Sequence, residues 1–121
     1  MARRWTKRNP VLVDLIEQLR LHTRTTGASL WRDLADRLER PRSQWAEPNI
    51  SRLNRHTEEN STVIVPGTLL GSGVIDGPRV VAAVRMSEAA RRKIEAAGGK
   101  VLSVVDLMSQ EPQGKGVMIL G

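Results

Sequence analysis

The sequence lacks cysteine, phenylalanine and tyrosine. The first absence limits the chemistry of the protein, and the other two limit the composition of its core. Without cysteine there are no disulfide bonds, no thiolate chemistry and no cysteine-ligated metals. The aromatic side chains other than histidine are three tryptophans, so valine, leucine, isoleucine and alanine must supply most of the core. The two histidines, His22 and His56, are too few for a histidine-rich metal cluster.

Long apolar runs are absent too. No stretch of about 18 apolar residues occurs, and no signal-peptide core follows the basic start of the chain. These absences predict a soluble protein of the cytoplasm. The 121 residues fit one domain, which buries roughly two-thirds of the surface that the unfolded chain exposes.

Positive charge is abundant and unevenly spread. Lys and Arg number 19 against 13 Asp and Glu, which gives a formal charge of +6, and 15 of the 19 cations are arginine. The planar guanidinium grips two phosphate oxygens at once, so a small basic domain of this kind suggests nucleic acid as the partner. Residues 1–8 carry four cations and no acid, and residues 40–56 carry four arginines against Glu47 alone.

The first part of the chain is predicted to be helical. Residues 1–8 have no apolar period and are expected to form a flexible basic arm. Asn9 and Pro10 have the residue types of an N-cap and a first helical position, and an apolar stripe predicts a helix over 10–24. Ser29 is expected to cap a second helix that ends before Pro41. Pairs at i,i+4, Asp33 with Arg37 and Asp36 with Arg40, are expected on its outer face.

Short strands are predicted in the second part. Residues 62–65 are β-branched and are expected to stop at Pro66-Gly67, and 67–77 are expected to form a looped connection. Strands over 79–84 and 101–105 flank a helix that Ser87 caps and Gly98 ends, which is the pattern of a strand–helix–strand crossover. Asp106 is expected to cap one last turn, and residues 113–121 are expected to be a strand or a free end. The predicted fold is α/β: one small domain, residues 9–121, with two N-terminal helices, short strands and a strand–helix–strand unit.

No residue pattern of a catalytic site is present. Gly71-Ser72-Gly73 followed by Gly77 approximates a phosphate-binding G-x-G-x-x-G, but the last glycine is one position late and no P-loop lysine follows. The pattern is therefore a poor signature of a nucleotide enzyme. One alternative is a turn that needs positive φ, and another is a loop whose backbone approaches an RNA strand closely.

Residues 49–57, with the sequence NISRLNRHT, contain two arginines whose binding partner is not evident from the sequence. Ile50 and Leu53 are three apart, which predicts a turn of helix with both pinned inward and Arg52 and Arg55 outward. One interpretation is that the arginines pair with Glu58 and Glu59. The other is that they meet an anion outside this chain, such as RNA.

A DNA-binding regulator is the alternative from another class. Residues 29–55 have the order helix, turn, helix, and a helix starting near Pro48 would aim Asn49, Arg52 and Arg55 at a groove. Against this, the turn is longer than usual.

The three tryptophans are expected in different environments. Trp31 and Trp45 are expected in the core, with the Trp45 indole N–H at its edge, whereas Trp5 is the candidate for stacking on a base.

Three motifs then carry a resemblance. N-I-S-R-L, V-P-G-x-L-L-G-S-G and S-E-A-A-R-x-K-I-E-A-A-G-G occur in this order. With them, residues 9–117 resemble the eighteen-e family of archaeal and eukaryotic large-subunit ribosomal proteins, and more distantly the bacterial large-subunit protein fifteen. The short length is typical of an archaeal member.

The resemblance implies a structural component of the large ribosomal subunit, without catalysis, cofactor, small-molecule substrate or membrane. It would bind ribosomal RNA, contact neighbouring ribosomal proteins, and support subunit assembly and translation. Thr68 departs from the family's usual lysine, so a phosphate contact is expected to be weaker there or to move to Arg79. The apolar tail, Met118 to Leu120, suggests a protein contact. The expected RNA contacts are Arg3, Arg4, Trp5, Lys7, Arg8, Arg40, Arg42, Asn49, Arg52, Arg55, His56, Gly67, Thr68, Gly71, Ser72, Gly73 and Arg79.

Overall fold

The computed structural model describes residues 10–121. The predicted basic arm, with Trp5, and the predicted cap Asn9 lie outside the described residues. The described chain forms α1 (Pro10–Thr26), α2 (Ser29–Leu38), a 3-10 turn (Arg42–Gln44), α3 (Ile50–His56), β1 (Thr62–Leu69), β2 (Val80–Met86), α4 (Glu88–Ala96), β3 (Lys100–Leu102), α5 (Val104–Gln110) and β4 (Val117–Ile119).

The four strands form one parallel sheet in the order β3-β2-β1-β4. The central strand β1 pairs with β2 on one side, where Thr62 lies opposite Val80, and with β4 on the other, where Thr62 lies opposite Val117. The predicted strand–helix–strand unit is confirmed as β2–α4–β3, because parallel neighbours need such a crossover. The tail forms a strand rather than a free end.

Helices cover the two faces of this sheet. Ile64 and Ala82 pack with α1, α2 and α5, and we call this side the α1 face. Val63, Val65 and Val81 pack with α3 and α4 on the other side, the α3 face. Successive strand residues point to opposite faces, and burial on both faces explains why these strands are almost uniformly apolar. The predicted α/β domain is confirmed.

Most helix boundaries agree with the sequence prediction. Helix α1 runs two residues beyond the predicted 24. Ser87 caps α4 by accepting a hydrogen bond from Ala90 N, and Gly98 follows its end with φ 87°. Ser29, in contrast, is the first residue of α2, and the N-cap position is Ala28. The amide of Ala28 instead donates to the Thr26 hydroxyl at 3.2 Å.

Two strand predictions were wrong. Strand β1 continues through Pro66 and Gly67, and its register with β2 shifts there. Proline has no backbone N–H to donate to the sheet, and it is tolerated within a strand at such an irregularity. The third strand ends at Leu102 instead of reaching 105. Ser103, not Asp106, caps the helix α5 that follows, by accepting a hydrogen bond from Asp106 N at 3.0 Å.

Ion pairs form within α2 and between α1 and the end of α2. The predicted pair of Asp33 and Arg37 is present at 3.0 Å. Asp36 instead pairs across the helices with Arg20 at 3.0 Å, and Arg20 also meets Glu39. The prediction that Asp36 pairs with Arg40 is therefore wrong, because the α1–α2 packing brings a closer cation.

Candidate nucleic-acid interface

The helix α3 holds its arginines as the sequence predicts. Ile50 and Leu53 are 0% exposed in the core of the α3 face. Arg52 and Arg55 are exposed on the other side of the helix, and His56 is exposed at its last position. Two core anchors therefore fix a short helix whose cations point to solvent.

These two arginines are not used inside the described part of the chain. Within residues 10–121, neither guanidinium forms an ion pair or a side-chain hydrogen bond. The interpretation that they pair with Glu58 and Glu59 is therefore wrong. Their charge remains available to an external anion.

The segment before α3 extends this cationic surface. Residues 46–49 run beside the end of β1, where Thr68 N donates to Ala46 O at 3.0 Å and Leu70 N donates to Pro48 O at 2.9 Å. This pairing places Asn49 beside Arg52 and Arg55 in one open groove of about 490 Å3. The side chain of Asn49 does not cap α3, and Glu47 has the one acidic side chain among the described residues that line the groove.

The glycines at 67–73 serve the packing of the chain against itself. A Cβ on Gly67 would lie 2.1 Å from Ala46 O, and one on Gly73 would lie 2.5 Å from the Ser51 backbone. Gly73 also has φ 111°, which favours glycine. A Cβ on Gly71 would lie 2.6 Å from that of Ala89. The close approach that these glycines permit is thus between segments of this protein.

The loop also completes the start of α3. Its carbonyl oxygens accept hydrogen bonds from Ile50 N and Ser51 N, each at 3.0 Å, and from the Lys93 amine. These bonds satisfy helix donors that otherwise lack partners. The amide groups of Gly71, Ser72 and Gly73 donate no hydrogen bond within residues 10–121, so they remain able to meet a phosphate. Ser72 is exposed, whereas Thr68 is half-buried.

Arg79 is a structural residue, which corrects its predicted place among the RNA contacts. It is 2% exposed. Its guanidinium donates to the Thr57 hydroxyl and carbonyl oxygens, at 3.0 and 2.8 Å, and to Gly77 O and Asp76 Oδ1, at 2.9 and 3.2 Å. Because these bonds occupy the guanidinium and burial hides it, Arg79 joins the end of α3 to the loop and offers nothing to RNA.

The turn between α2 and α3 presents two further arginines. Trp45 is 9% exposed, and its indole N–H donates to Arg40 O at 3.0 Å, which confirms its predicted place at the edge of the core. Trp31 is 0% exposed, as predicted. Arg40 and Arg42 are exposed, and the Arg42 guanidinium lies 5.5 Å from the centre of the Trp45 ring.

Arg85 is a further exposed cation that sequence reasoning did not single out as a candidate. This exposed residue lies opposite Thr68 near the end of β2, and it lines a hollow together with Arg42. It is the one charged residue in the strand sequence VVAAVRM. A charge at the end of an otherwise apolar strand is the signal that would have found it.

The helix-turn-helix prediction is wrong. Helix α2 packs on the α1 face and α3 packs on the α3 face, with the sheet between them. A helix-turn-helix unit needs two helices in contact across a short turn. Here residues 39–49 instead lead from one face of the sheet to the other.

The described residues contain few other candidate sites. Among residues 10–121, no group of three or more His, Asp or Glu side chains is arranged to hold a metal ion. No helix in the same range is long and apolar enough to cross a membrane.

Comparison with known proteins identifies the family. The family model described as ribosomal protein 60S L18 and 50S L18e matches residues 1–121. The chain belongs to this family. The large ribosomal subunit protein eL18 of Methanothermobacter thermautotrophicus is 45% identical over 120 residues, which is 99% of each chain. The proteins of the same name from Methanospirillum hungatei and Halobacterium salinarum are each 44% identical, over 99% and 95% of this chain and 99% and 98% of their own lengths.

Proposed function

We propose that this protein is a structural component of the large ribosomal subunit that binds ribosomal RNA in the cytoplasm and supports subunit assembly and translation. The match to a family of ribosomal proteins along the whole chain carries this proposal. Because the named relatives are ribosomal proteins, the function is binding without catalysis or a cofactor.

The surface around α3 is the proposed centre of RNA binding. Arg52 and Arg55 are exposed, have no partner within residues 10–121, and stand on a helix fixed by buried Ile50 and Leu53. Because the guanidinium group is a planar, pre-organised fork, an arginine loses less side-chain entropy per hydrogen bond to a phosphate than a lysine does. Asn49 adds an amide in the same groove.

Other contacts extend from this centre. His56, Arg40, Arg42 and the amide groups of residues 71–73 are exposed or lack internal partners around the same part of the molecule. The basic arm, residues 1–8, is proposed to add phosphate contacts next to the domain at 9–121. Its proposed contacts are Arg3, Arg4, Trp5, Lys7 and Arg8. Gly67 and Thr68 lie in β1 behind this surface and hold its position. Arg79 is not a proposed RNA contact.

Neighbouring ribosomal proteins are the second class of proposed partner. Met118 is 44% exposed on the edge strand β4, whereas Leu120 is buried. An apolar contact from the tail would therefore involve Met118. The distant relation to bacterial large-subunit protein fifteen also remains a proposal, and superposition on that protein's sheet order would test it.

The experiment that tests the assignment is sedimentation. Tagged protein expressed in an archaeal host is expected to travel with the large subunit through a high-salt gradient, because an integral component resists the screening of its surface charges. Recovery at the top of the gradient, together with tight binding to one duplex DNA sequence, would contradict the proposal.

A further inference from the structure

The sheet has a crevice at the carboxyl ends of two neighbouring strands. The chain leaves β2 toward α4 on the α3 face, and it leaves β3 toward α5 on the α1 face. Ligands of open α/β sheets bind outside the carboxyl ends of the strands. The crevice in this fold lies outside the carboxyl ends of β2 and β3.

A trough occupies this position. It consists of two adjoining hollows, of about 370 Å3 and 190 Å3, which share Val11, Leu15 and Val84. The larger hollow ends at Arg42, Trp45 and Arg85. The smaller hollow ends at Asp14, Gln18 and Ser103. The trough thus has an apolar middle and two polar ends of different character.

Charge separates the two ends. The described residues that line the larger hollow include two arginines and no acid, whereas the smaller hollow includes Asp14 and no cation. The amide of Gln18 donates to the Asp14 carboxylate at 2.6 Å. An anionic group therefore fits the arginine end, and a group that donates hydrogen bonds fits the Asp14 end.

The middle of the trough is apolar and open to solvent. Val11 on its rim is 78% exposed, so the apolar surface of the trough extends to solvent. Leu15 and Val84 are partly buried and pack on the core behind it. The occupant therefore has an apolar body between its charged and polar ends.

We infer that this trough seats one unpaired nucleotide of the RNA, with its phosphate toward Arg42 and Arg85 and its base over Leu15 and Val84. The inference rests on the proposed function. Unpaired bases are the parts of RNA that proteins recognise individually, and each base offers a flat face of low polarity and a polar edge. In this orientation the base edge meets Asp14 and Gln18, and the phosphate stays away from the Asp14 carboxylate.

Filling the trough without changing its charge is the first test. Val11→Trp places a large side chain on the rim, and Leu21→Trp is the matched control, because Leu21 is 57% exposed elsewhere on the same helix. For the full chain bound to deproteinised archaeal large-subunit ribosomal RNA, we expect Val11→Trp to weaken binding about tenfold, within the range that one stacked base contributes. Because the displaced nucleotide carries the phosphate that meets Arg42 and Arg85, the log–log slope of affinity against salt should flatten by about 0.7–0.9. Equal affinity of the two variants would overturn the inference.

A photo-cross-link identifies the occupant directly. With p-azidophenylalanine in place of Val11, we expect cross-linking to one unpaired nucleotide, and with the same residue in place of Leu21 we expect none. A cross-link from position 11 to a neighbouring protein, or to residues 1–9 of this chain, would overturn the inference and leave the proposed function standing. Failure of the unmodified chain to bind the RNA would contradict the proposed function itself.

Discussion

Arg79 and the two arginines of α3 show opposite uses of one residue type in a single arginine-rich chain. Arg79 is 2% exposed and donates to three residues of its own chain. Arg52 and Arg55 are exposed and have no side-chain partner within residues 10–121. The comparison teaches that composition alone does not separate a structural cation from a binding one. Burial and internal partners do.

Removing the buried arginine should have the largest effect on stability. Arg79→Ala leaves the Thr57 carbonyl and hydroxyl groups without their charged donor, and each hydrogen bond to a charged group contributes about 1.5–3 kcal/mol. Because Asp76 is 68% exposed, its pairing adds little. We expect the free energy of unfolding to fall by about 3 kcal/mol, as measured by urea denaturation.

Arg79→Lys is the control for charge. Lysine keeps the positive charge but lacks the planar fork that reaches several acceptors at once, so most of the loss should remain. If lysine restores full stability, the charge of Arg79 matters more than its hydrogen bonds, and the contrast with Arg52 and Arg55 is weakened.

The loop that supports α3 should be the next most sensitive feature. Gly73→Ala combines φ 111° with a Cβ only 2.5 Å from the Ser51 backbone, and we expect a loss of about 2 kcal/mol in the free energy of unfolding. Gly116→Ala is the matched control, since Gly116 also has positive φ but open space around its Cβ position. The control should lose about 1 kcal/mol. Equal losses would show that backbone strain alone is responsible.

The side-chain exposure of Arg37 lies between that of the buried Arg79 and that of the exposed Arg52 and Arg55. Arg37 pairs with Asp33 at 3.0 Å, but the two side chains are 34% and 51% exposed. Solvent weakens such a pair, so Asp33→Ala should lower the free energy of unfolding by only about 0.3–0.5 kcal/mol. A loss above about 1 kcal/mol would contradict the ranking of these arginines by burial.

Local patterns predicted much of this structure. The apolar period of α1, the cap at Ser87 and the spacing of Ile50 and Leu53 are signals between residues a few positions apart, and each was interpreted correctly. The outward direction of Arg52 and Arg55 followed from the same spacing. These features need no knowledge of distant parts of the chain.

Apart from the caps predicted at Ser29 and Asp106, the errors involve contacts between distant residues. Strand β1 passes through Pro66 and Gly67 because it pairs with β2 on both sides of the irregularity and with residues 46–49 from Gly67 onward. The role of Arg79 depends on Thr57, 22 positions away, which no local pattern reveals. The separation of α2 and α3 by the sheet likewise follows from tertiary packing, so the helix-turn-helix interpretation looked plausible from sequence.

The salt dependence of RNA binding tests the central claim most directly. Arg52→Ala combined with Arg55→Ala should be compared with Arg24→Ala combined with Arg32→Ala, which removes the same charge from exposed positions on α1 and α2. If Arg52 and Arg55 each contact a phosphate, the log–log slope of affinity against salt should flatten by about 1.4–1.8 for the first double variant and little for the second. Thermal stability should change little for either. An unchanged slope together with an earlier melting transition would show that Arg52 and Arg55 are structural residues and would contradict the account.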